Sequence, residues 1–159
     1  VKDLDGNTLV LFNYVEKHGI PLYDLINTKV GDHRQVFLVH GGVETDDREK
    51  IRQIVETTKD SIIVASYGTF STGINIRNLD NIVFASPSKS RIRNLQSIGR
   101  VLRKGVNKRK AVLYDLADDI TKGGRCRRNY TLNHLIERVK IYNEESFDYE
   151  FIDVNLRTK

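Results

Sequence analysis

Some residue types and patterns are scarce or missing in this chain of 159 residues, and their absence excludes several classes of protein. Cys126 is the only cysteine, which excludes an internal disulfide and a cysteine zinc site and favours a reducing, cytoplasmic compartment. No apolar run approaches the ~20 residues of a membrane span, so no membrane contact is expected. The opening Val-Lys-Asp-Leu-Asp-Gly has no apolar region, so a secretory signal is not expected.

Motifs that bind phosphates and metals are missing as well. No Gly-x-x-x-x-Gly-Lys-Ser/Thr occurs, so the sequence contains no phosphate-cradling P-loop, and no apolar strand ends in an Asp-Glu pair that could hold magnesium. His18, His33 and His134 are scattered without metal-ligand spacing, and no metal site is predicted. The order of the residues indicates no Ser-His-Asp or Cys-His pairing, so nucleophilic catalysis is not predicted either.

The basic residues are unevenly distributed, although the net charge of +5 is modest. From Ser88 to Ala111 the chain has no acidic residue and the following basic ones: Lys89, Arg91, Arg93, Arg100, Arg103, Lys104, Lys108, Arg109 and Lys110. A second basic group is Lys122, Arg125, Arg127 and Arg128, whereas the C-terminal stretch is acidic. A one-sided basic surface attracts polyanions, of which nucleic acid is the common one; a solubilising surface is the alternative.

Short apolar runs alternate with helical patterns along most of the chain. The runs are continuous, as in parallel strands that are buried on both faces. They predict strands at Thr8–Phe12, Gln35–Val39, Ser61–Ala65, Asn81–Phe84 and Lys110–Tyr114. Helices are predicted from Tyr14 to about Asn27 with a break near Gly19-Ile-Pro21, at Thr45–Thr57 and at Arg91–Arg103. Asp46, three residues before Glu49, predicts a capping pair at the start of the second of these helices. This rhythm predicts a doubly wound α/β fold, with a mostly parallel sheet, helices on both faces and right-handed crossovers.

The pattern changes after Asp115. Residues 120–128 are rich in Gly and Arg and predict a loop, which is followed by a helix from about Thr131 to Tyr142 and a strand at Tyr149–Val154. The length of the chain suits one domain. We therefore predict a single domain over residues 1–159, with a core at about 8–115 and a C-terminal helix and strand extension at about 129–154.

The predicted helix at 91–103 carries a polar stripe beside an apolar one, because residues three or four positions apart share a face. The polar stripe is Arg93, Gln96, Arg100 and Arg103, and the apolar stripe is Ile92, Leu95, Gly99 and Leu102. Guanidinium groups match phosphate oxygens with two parallel hydrogen bonds, so the polar stripe favours a phosphate ligand. A solvated basic face on an ordinary helix is the alternative.

Four segments occur in an informative order. Thr8-Leu-Val-Leu-Phe12-Asn-Tyr is followed by Phe37-Leu-Val-His40-Gly41, by the glycine-bearing turn from Ser66 to Asn75, and then by Gln96-Ser-Ile-Gly-Arg100-Val-Leu-Arg103. This order resembles motifs IV, V and VI of superfamily 2 helicases and translocases over roughly residues 8 to 115. The last segment is closer to DNA-repair and restriction-type translocases than to DEAD-box RNA helicases. The resemblance implies a RecA-like fold.

In that family this domain closes over the γ-phosphate of ATP, so the resemblance implies catalytic roles for three residues. Arg103 would be the arginine finger, Arg100 a second γ-phosphate contact, and Gln96 would orient water or phosphate. Gly73 and Asn75 match positions that approach the nucleotide, although many relatives carry Asp in place of Asn75. A glycine at position 73 that is needed only for a positive φ is the alternative there.

Other matching positions imply contacts with the nucleic-acid backbone. Hydroxyl and backbone N–H groups in loops suit sugar-phosphate contacts that carry no sequence information, and helix N-termini bind phosphates. The candidates are Asn13, Tyr14, His40, Arg48, Ser66, Tyr67, Thr69, Arg93 and Arg128. Helix capping is the alternative for Asn13, and a structural role is the alternative for His40.

The resemblance also implies a partner domain. A motor of this family needs a P-loop and magnesium carboxylates, so ATP and Mg²⁺ would be held mainly by an N-terminal RecA-like domain of the same protein. The chain opens with Val1 and not with methionine, and we expect an excised second motor domain that does not hydrolyse ATP alone. DNA is the expected partner, either branched or duplex, with an RNA–DNA hybrid as a further candidate. The expected setting is recombination, repair and replication in a bacterial or phage-infected cell.

Two other classes of function stay open. A non-enzymatic RecA-like nucleic-acid-binding module would bind through its basic stripe and give Arg103 no role linked to ATP. A phosphatase or nuclease on a doubly wound sheet would need carboxylates at the strand ends to hold a metal, and these strand ends offer Ser, Gly, Asn and His instead.

Overall fold

The computed structural model describes residues 1–73, 76, 78–86, 90, 111–119 and 129–154. In this part of the chain five parallel strands form one sheet in the order β2-β3-β1-β4-β5. The strands are β1 (Thr8–Phe12), β2 (Val36–Val39), β3 (Ile62–Ser66), β4 (Asn81–Phe84) and β5 (Val112–Asp115). The helices are α1 (Ile20–Val30), α2 (Thr45–Thr57), α3 (Tyr67–Gly73) and α4 (Tyr130–Glu144). A π-helical turn (Val15–Gly19) precedes α1, and a 3-10 turn (Gly31–His33) follows it.

The five predicted strands are confirmed. β1 and β4 have the predicted bounds, and β2 and β3 each begin one residue later than predicted. β5 begins two residues later than predicted and ends one residue later. All five residues of β1 are buried, because this strand lies in the middle of the sheet and both of its faces are covered. Burial on both faces explains why the runs of the central strands β1, β3 and β4 are continuously apolar rather than alternating.

Two apolar clusters lie on opposite faces of the sheet. On one face, Leu9 and Leu11 of β1 pack with Val55 of α2, Phe70 of α3 and Tyr142 of α4. On the other face, the alternate β1 residues Val10 and Phe12 pack with Ile26 and Val30 of α1. Successive side chains of a strand point to opposite faces, which accounts for this division. The prediction of a mostly parallel, doubly wound sheet with helices on both faces is therefore confirmed.

The predicted break near Gly19 is confirmed and has a specific geometry. The N–H groups of His18 and Gly19 both donate to the carbonyl of Tyr14, at 2.9 and 3.0 Å, and the second of these bonds closes a π-helical turn. A methyl group on Gly19 would lie 2.6 Å from Cε2 of Phe12, so only glycine lets this turn pack closely against the end of β1. Pro21 then lies in the first turn of α1, where its missing N–H costs no hydrogen bond.

Three expectations need correction. The glycine-bearing turn from Ser66 to Asn75 is helical from Tyr67 to Gly73, because the Ser66 hydroxyl accepts from the Thr69 N–H at 3.3 Å and starts a helix.

At the start of α2 the predicted Asp46 and Glu49 capping pair is not formed. The N-cap residue is Glu44 with no side-chain cap, and Glu49 instead accepts from Arg52 Nε at 2.8 Å.

The third correction concerns the predicted strand at Tyr149–Val154, which has no regular secondary structure. Its first aromatic side chain packs on α4 instead of joining the sheet: the rings of Tyr149 and Tyr142 lie 6.2 Å apart, and the Tyr149 hydroxyl donates to Asn143 Oδ1 at 3.1 Å. The preceding helix is confirmed as α4, which Asn129 caps by accepting from the Leu132 N–H at 2.9 Å. The predicted helix at 91–103 and loop at 120–128 lie outside the described residues.

Asn7, at the amino edge of the sheet, is fully buried and links three segments of the chain. Its Nδ2 lies 3.0 Å from the carbonyls of Val55 and Thr58 and 2.8 Å from that of Asn78, and its Oδ1 accepts from the Ser61 N–H at 2.8 Å. A buried amide with all of its groups bonded fixes the amino edge, and nothing in the sequence pattern indicated it.

Candidate functional site at the carboxyl edge of the sheet

The strand register determines which polar residues share the carboxyl edge of the sheet. Val39, Ala65, Leu11, Phe84 and Asp115 form one row across the five strands. His40, Ser66, Asn13 and Ser86 follow this row by one or two positions. Ligands of open α/β sheets bind at this edge, so the fold brings several of the predicted site residues to the expected place.

Asn13 and Ser86 connect the ends of the neighbouring strands β1 and β4. Asn13 Nδ2 donates to the Ser86 carbonyl at 2.7 Å and lies 3.2 Å from its hydroxyl. That hydroxyl lies 2.9 Å from Nδ1 of His18. Tyr14, which is 63% exposed, places its ring edge-on to His18 with centroids 5.2 Å apart. The alternative that Asn13 caps the following helix is wrong, because the turn at Val15–Gly19 has no side-chain cap.

Ser66 and Thr69 form a hydroxyl pair at the start of α3. Their oxygens lie 2.8 Å apart, and Thr69 is only 5% exposed. Ser66, as the last residue of β3, is half-buried at the edge. The pair therefore holds the β3–α3 junction in shape, and Ser66 is the more accessible of the two predicted contacts.

Tyr67 has its side chain in the core rather than at the surface. It is 2% exposed, and its ring lies 5.7 Å from that of Phe84. Burial, followed by the negative charge of Asp115, raises the pKa of the Tyr67 phenol well above its ordinary value. This corrects the expectation of a nucleic-acid contact through the Tyr67 side chain: its first role is to hold α3 on the sheet.

His40 and Arg48 stabilise the loop between β2 and α2. His40 Nδ1 accepts from the Gly42 N–H at 3.1 Å, and its carbonyl accepts from the Val43 N–H at 3.0 Å. Arg48 Nε donates to the Val43 carbonyl at 2.7 Å. The structural role that was the alternative for His40 is therefore present, and it leaves Nε2 of the imidazole free of these bonds.

The remaining predicted site residues lie at the end of α3 or outside the described residues. Gly73 is the last residue of α3. Outside the described residues lie Asn75, Arg93, Gln96, Arg100, Arg103 and Arg128.

Sequence reasoning missed a buried ionic group on the same edge. Arg138 of α4 and Tyr142, one turn later, both donate to Asp115 Oδ2 at the end of β5, at 2.7 and 2.8 Å. Burial, with the added effect of Asp115, raises the pKa of Tyr142 far above its ordinary value. Asp115 follows an apolar run, which is the one signal in the sequence that could have indicated a functional or structural carboxylate there.

Other parts of the described chain offer weaker candidates for a binding site. A hollow of about 420 Å³ lies at the amino edge, lined in part by Asp5, Lys59 and Asp80, but its carboxylates do not suit phosphate and Asp80 already accepts from the Asn7 N–H at 3.0 Å. Within the described ranges no three His, Cys, Asp or Glu side chains come together as a metal site. None of the helices described is long and apolar enough to cross a membrane.

The parallel sheet, with helices on both faces and polar side chains along its carboxyl edge, is that of a RecA-like domain. Residues 1–105 match the helicase conserved C-terminal domain, and the chain belongs to this family.

Two viral proteins are similar along most of the chain. The ATP-dependent DNA helicase uvsW of Enterobacteria phage T4 is 41% identical over 160 residues, which cover 96% of this chain and 31% of the phage protein. The putative ATP-dependent RNA helicase L396 of Acanthamoeba polyphaga mimivirus is 28% identical over 153 residues, which cover 94% of this chain and 28% of that protein. The chain thus spans under a third of the length of either relative.

Solved structures give the same fold. T4 UvsW superposes with a TM-score of 0.71 at 40% identity, over 92% of this chain and 30% of that one. Domain 2 of the DEAD-box helicase Mss116p, bound to an RNA duplex, has a TM-score of 0.61 at 15% identity, over 71% of this chain and 43% of that one. The C-terminal part of the Fun30 ATPase domain has the same score and identity, over 87% and 48%.

Proposed function

We propose that this chain is the C-terminal motor half of an ATP-dependent DNA helicase or branch-migrating translocase. The observation that carries the proposal is the set of polar side chains that the register brings to one edge, namely Asn13, His40 and Ser66. The 41% identity to a phage protein named as a DNA helicase supports it. By the same likeness we propose a role in recombination, repair and replication, in the cytoplasm of a bacterial or phage-infected cell.

The carboxyl edge has dimensions that suit a nucleic-acid strand. From β2 to β4 the edge crosses three strand spacings, or about 14 Å at ~4.8 Å each. A B-form strand rises about 3.4 Å per phosphate along the helix axis, so an edge that runs parallel to this axis can follow roughly four nucleotides. The groups along it are hydroxyl, amide and imidazole groups, which suit sugar-phosphate contacts without sequence readout. We propose that Asn13, Tyr14, His40, Arg48 and Ser66 contact the backbone.

We propose that ATP and Mg²⁺ are held mainly by an N-terminal RecA-like domain of the same protein. The described residues of this chain contain no cluster of carboxylates that would suit Mg²⁺, so we assign none of them to the metal. Bound Mg²⁺ would neutralise charge on the phosphates, and Arg103 would add a guanidinium from this chain as the finger, with Arg100 and Gln96 beside it. Gly73 and Asn75 would approach the nucleotide.

DNA binding by this chain tests the proposal. Affinity for a labelled strand and for a branched DNA is measured over a range of salt concentrations. We expect weak, sequence-independent binding with a steep salt dependence. Arg48→Gln at the carboxyl edge should reduce the log–log salt slope by about one, whereas Lys59→Gln, which removes the same charge at the amino edge, should leave it unchanged. Equal slopes for the two variants would contradict the assignment of nucleic-acid binding to the carboxyl edge.

ATP hydrolysis separates the helicase from the non-enzymatic binding module. We expect the chain alone to hydrolyse no ATP, with or without DNA, and to be required for DNA-stimulated hydrolysis by the full-length protein. Turnover by the chain alone well above a blank would contradict the half-motor proposal. Full-length protein that binds DNA through this edge but hydrolyses no ATP would favour the module.

A further inference from the structure

Three polar side chains at the ends of β1 and β4 are hydrogen-bonded in series. Asn13 Nδ2 lies 2.7 Å from the Ser86 carbonyl and 3.2 Å from the Ser86 hydroxyl, so its two N–H groups can serve both oxygens. The same hydroxyl lies 2.9 Å from Nδ1 of His18. Neither His18 nor Ser86 belongs to the motifs that the sequence indicated.

The direction of these bonds follows from the chemistry of the first donor. An amide nitrogen can only donate, so the Ser86 hydroxyl accepts from Asn13 and keeps its own hydrogen to give. His18 Nδ1 is the acceptor within reach, which places the imidazole hydrogen of a neutral ring on Nε2. In the opposite tautomer the hydroxyl would accept from both Asn13 and His18 and would need another acceptor for its own hydrogen.

His18 is also held in place by its backbone and by its neighbours. Its N–H and that of Gly19 share the carbonyl of Tyr14, and the close packing of Gly19 on Phe12 fixes the π-helical turn. The Tyr14 ring meets the imidazole edge-on, at 5.2 Å and 73°. π-Helical turns of this kind are frequent at functional sites. His18 is half-buried, and its Nε2 has no hydrogen-bond partner in the part of the chain that the structure describes.

We propose that His18 is a nucleic-acid backbone contact that donates from Nε2 to a phosphate oxygen, and that Ser86 is the positioning residue that fixes its tautomer. This rests on the proposed function, because it deepens the assignment of the carboxyl edge. The donor is an N–H group at a fixed place, and a phosphate oxygen is a pure acceptor. Exposed Tyr14 lies directly beside it and can meet the adjacent sugar or base.

The tautomer is tested first, without any ligand, by long-range ¹H–¹⁵N correlation of the imidazole rings at about pH 8. We expect the hydrogen of His18 on Nε2, and a shift towards a mixture of tautomers in Ser86→Ala. His40 is an internal control, because its Nδ1 accepts from the Gly42 N–H and does not depend on Ser86. A hydrogen on Nδ1 of His18 in the unaltered chain would overturn the assignment of direction.

Binding is tested next, with the same DNA at several salt concentrations. His18→Asn should lower the affinity by about 10-fold, because the shorter side chain cannot present an N–H group at the position of Nε2. His18→Gln, whose longer side chain can present an N–H group near the position of Nε2, should recover most of the loss. His33→Asn, in the 3-10 turn before β2 at the other edge, is the matched control and should bind normally.

The outcomes separate this inference from the proposed function. If the unaltered chain does not bind DNA, the proposed function fails while the tautomer result stands by itself. If DNA binds and His18→Asn binds equally well, the contact is wrong and the function is untouched. If ATP or inorganic phosphate shifts the His18 ring signals and DNA does not, the donor serves a nucleotide phosphate and the backbone assignment is overturned.

Discussion

Arg138 Nε donates to Asp115 Oδ2 at 2.7 Å, and the two side chains are 0% and 11% exposed. Tyr142 donates to the same oxygen at 2.8 Å. The pair joins α4, which lies beyond the matched family region, to the last described strand of the sheet. Asp115 Oδ1 and both terminal nitrogens of Arg138 have no hydrogen-bond partner in the described chain, so within it the ionic group is held by the Arg138 and Tyr142 bonds to Oδ2. A group of this kind is sensitive to the loss of either partner.

Arg138→Met should lower the free energy of unfolding by about 3–5 kcal/mol, because it leaves the Asp115 carboxylate buried and uncompensated. Urea denaturation measures the loss. Adding Asp115→Asn to the same chain should recover part of it, since the unpaired charge is then removed.

Lys140→Met on the same helix is the matched control. Lys140 pairs with Glu137 at 2.7 Å, but these side chains are 60% and 55% exposed, so the expected loss is within about 1 kcal/mol. Equal losses for Arg138→Met and Lys140→Met would mean that the buried pair contributes no more to stability than the exposed pair.

Stability should fall as the pH rises past about 10. Burial and the nearby Asp115 charge raise the pKa of Tyr67 and Tyr142 above the ordinary value of 10.0. The unfolded chain therefore releases these protons at a lower pH than the folded chain does. The stabilisation is complete below about pH 10 and is lost as the pH rises towards the folded-state values.

Urea midpoints between about pH 8 and pH 11 test this dependence. Tyr142→Phe should flatten the decline with pH, although it also removes the hydrogen bond to Asp115 and so lowers stability at every pH. Tyr14→Phe, at a side chain that is 63% exposed, should leave the slope unchanged. If stability declines with pH as steeply in Tyr142→Phe as in the unaltered chain, groups other than Tyr142 cause the decline.

Gly19→Ala should destabilise the domain by about 1–3 kcal/mol, because the added methyl group would lie 2.6 Å from Cε2 of Phe12 in a packed core. Gly68→Ala is the matched change inside α3, where a methyl group meets nothing within 4 Å. There the substitution should stabilise the helix by about 0.5–1 kcal/mol. Thermal unfolding of both variants gives the comparison, and changes of the same sign would contradict it.

The sheet could be predicted from the sequence because its three central strands, β3, β1 and β4, are buried on both faces and leave continuous apolar runs. β1 and β4 were found to the residue for this reason. α3 was missed because its start depends on one side-chain contact, from the Thr69 N–H to the Ser66 hydroxyl, in a segment rich in Gly, Ser and Thr. The strand predicted at Tyr149–Val154 was wrong because a short segment rich in apolar and aromatic residues gives no information on whether a neighbouring strand is present.

The candidate site was predicted where it lies in ordered motifs and missed where it depends on distant residues. Asn13, His40 and Ser66 were placed at one edge by the strand ends. His18 and Ser86 are 68 positions apart, and only the pairing of β1 with β4 brings them together. Arg138 and Asp115 are 23 positions apart and meet through the packing of α4, so a pattern along the chain could not reveal them.

The role of Arg103 as the proposed arginine finger is tested by ATP hydrolysis in the full-length protein. Arg103→Ala should abolish most DNA-stimulated ATP hydrolysis while leaving the fold, DNA binding and ground-state ATP binding nearly intact. A finger acts on charge that develops in the transition state, so the loss should fall on kcat more than on KM. Arg103→Lys should recover little, because an ammonium group lacks the planar fork of a guanidinium.

Two variants of the same predicted helix serve as controls for Arg103→Ala. Arg93→Ala, on the polar stripe, should weaken DNA binding and spare the basal rate of hydrolysis. Leu102→Ala, on the apolar stripe, should instead cost stability, about 2–5 kcal/mol for a buried site. Unfolding of all three variants would mean that the stripe is structural. Normal hydrolysis by Arg103→Ala would place the finger elsewhere, and Arg100 would then be tested first, because it is the next guanidinium on the same stripe.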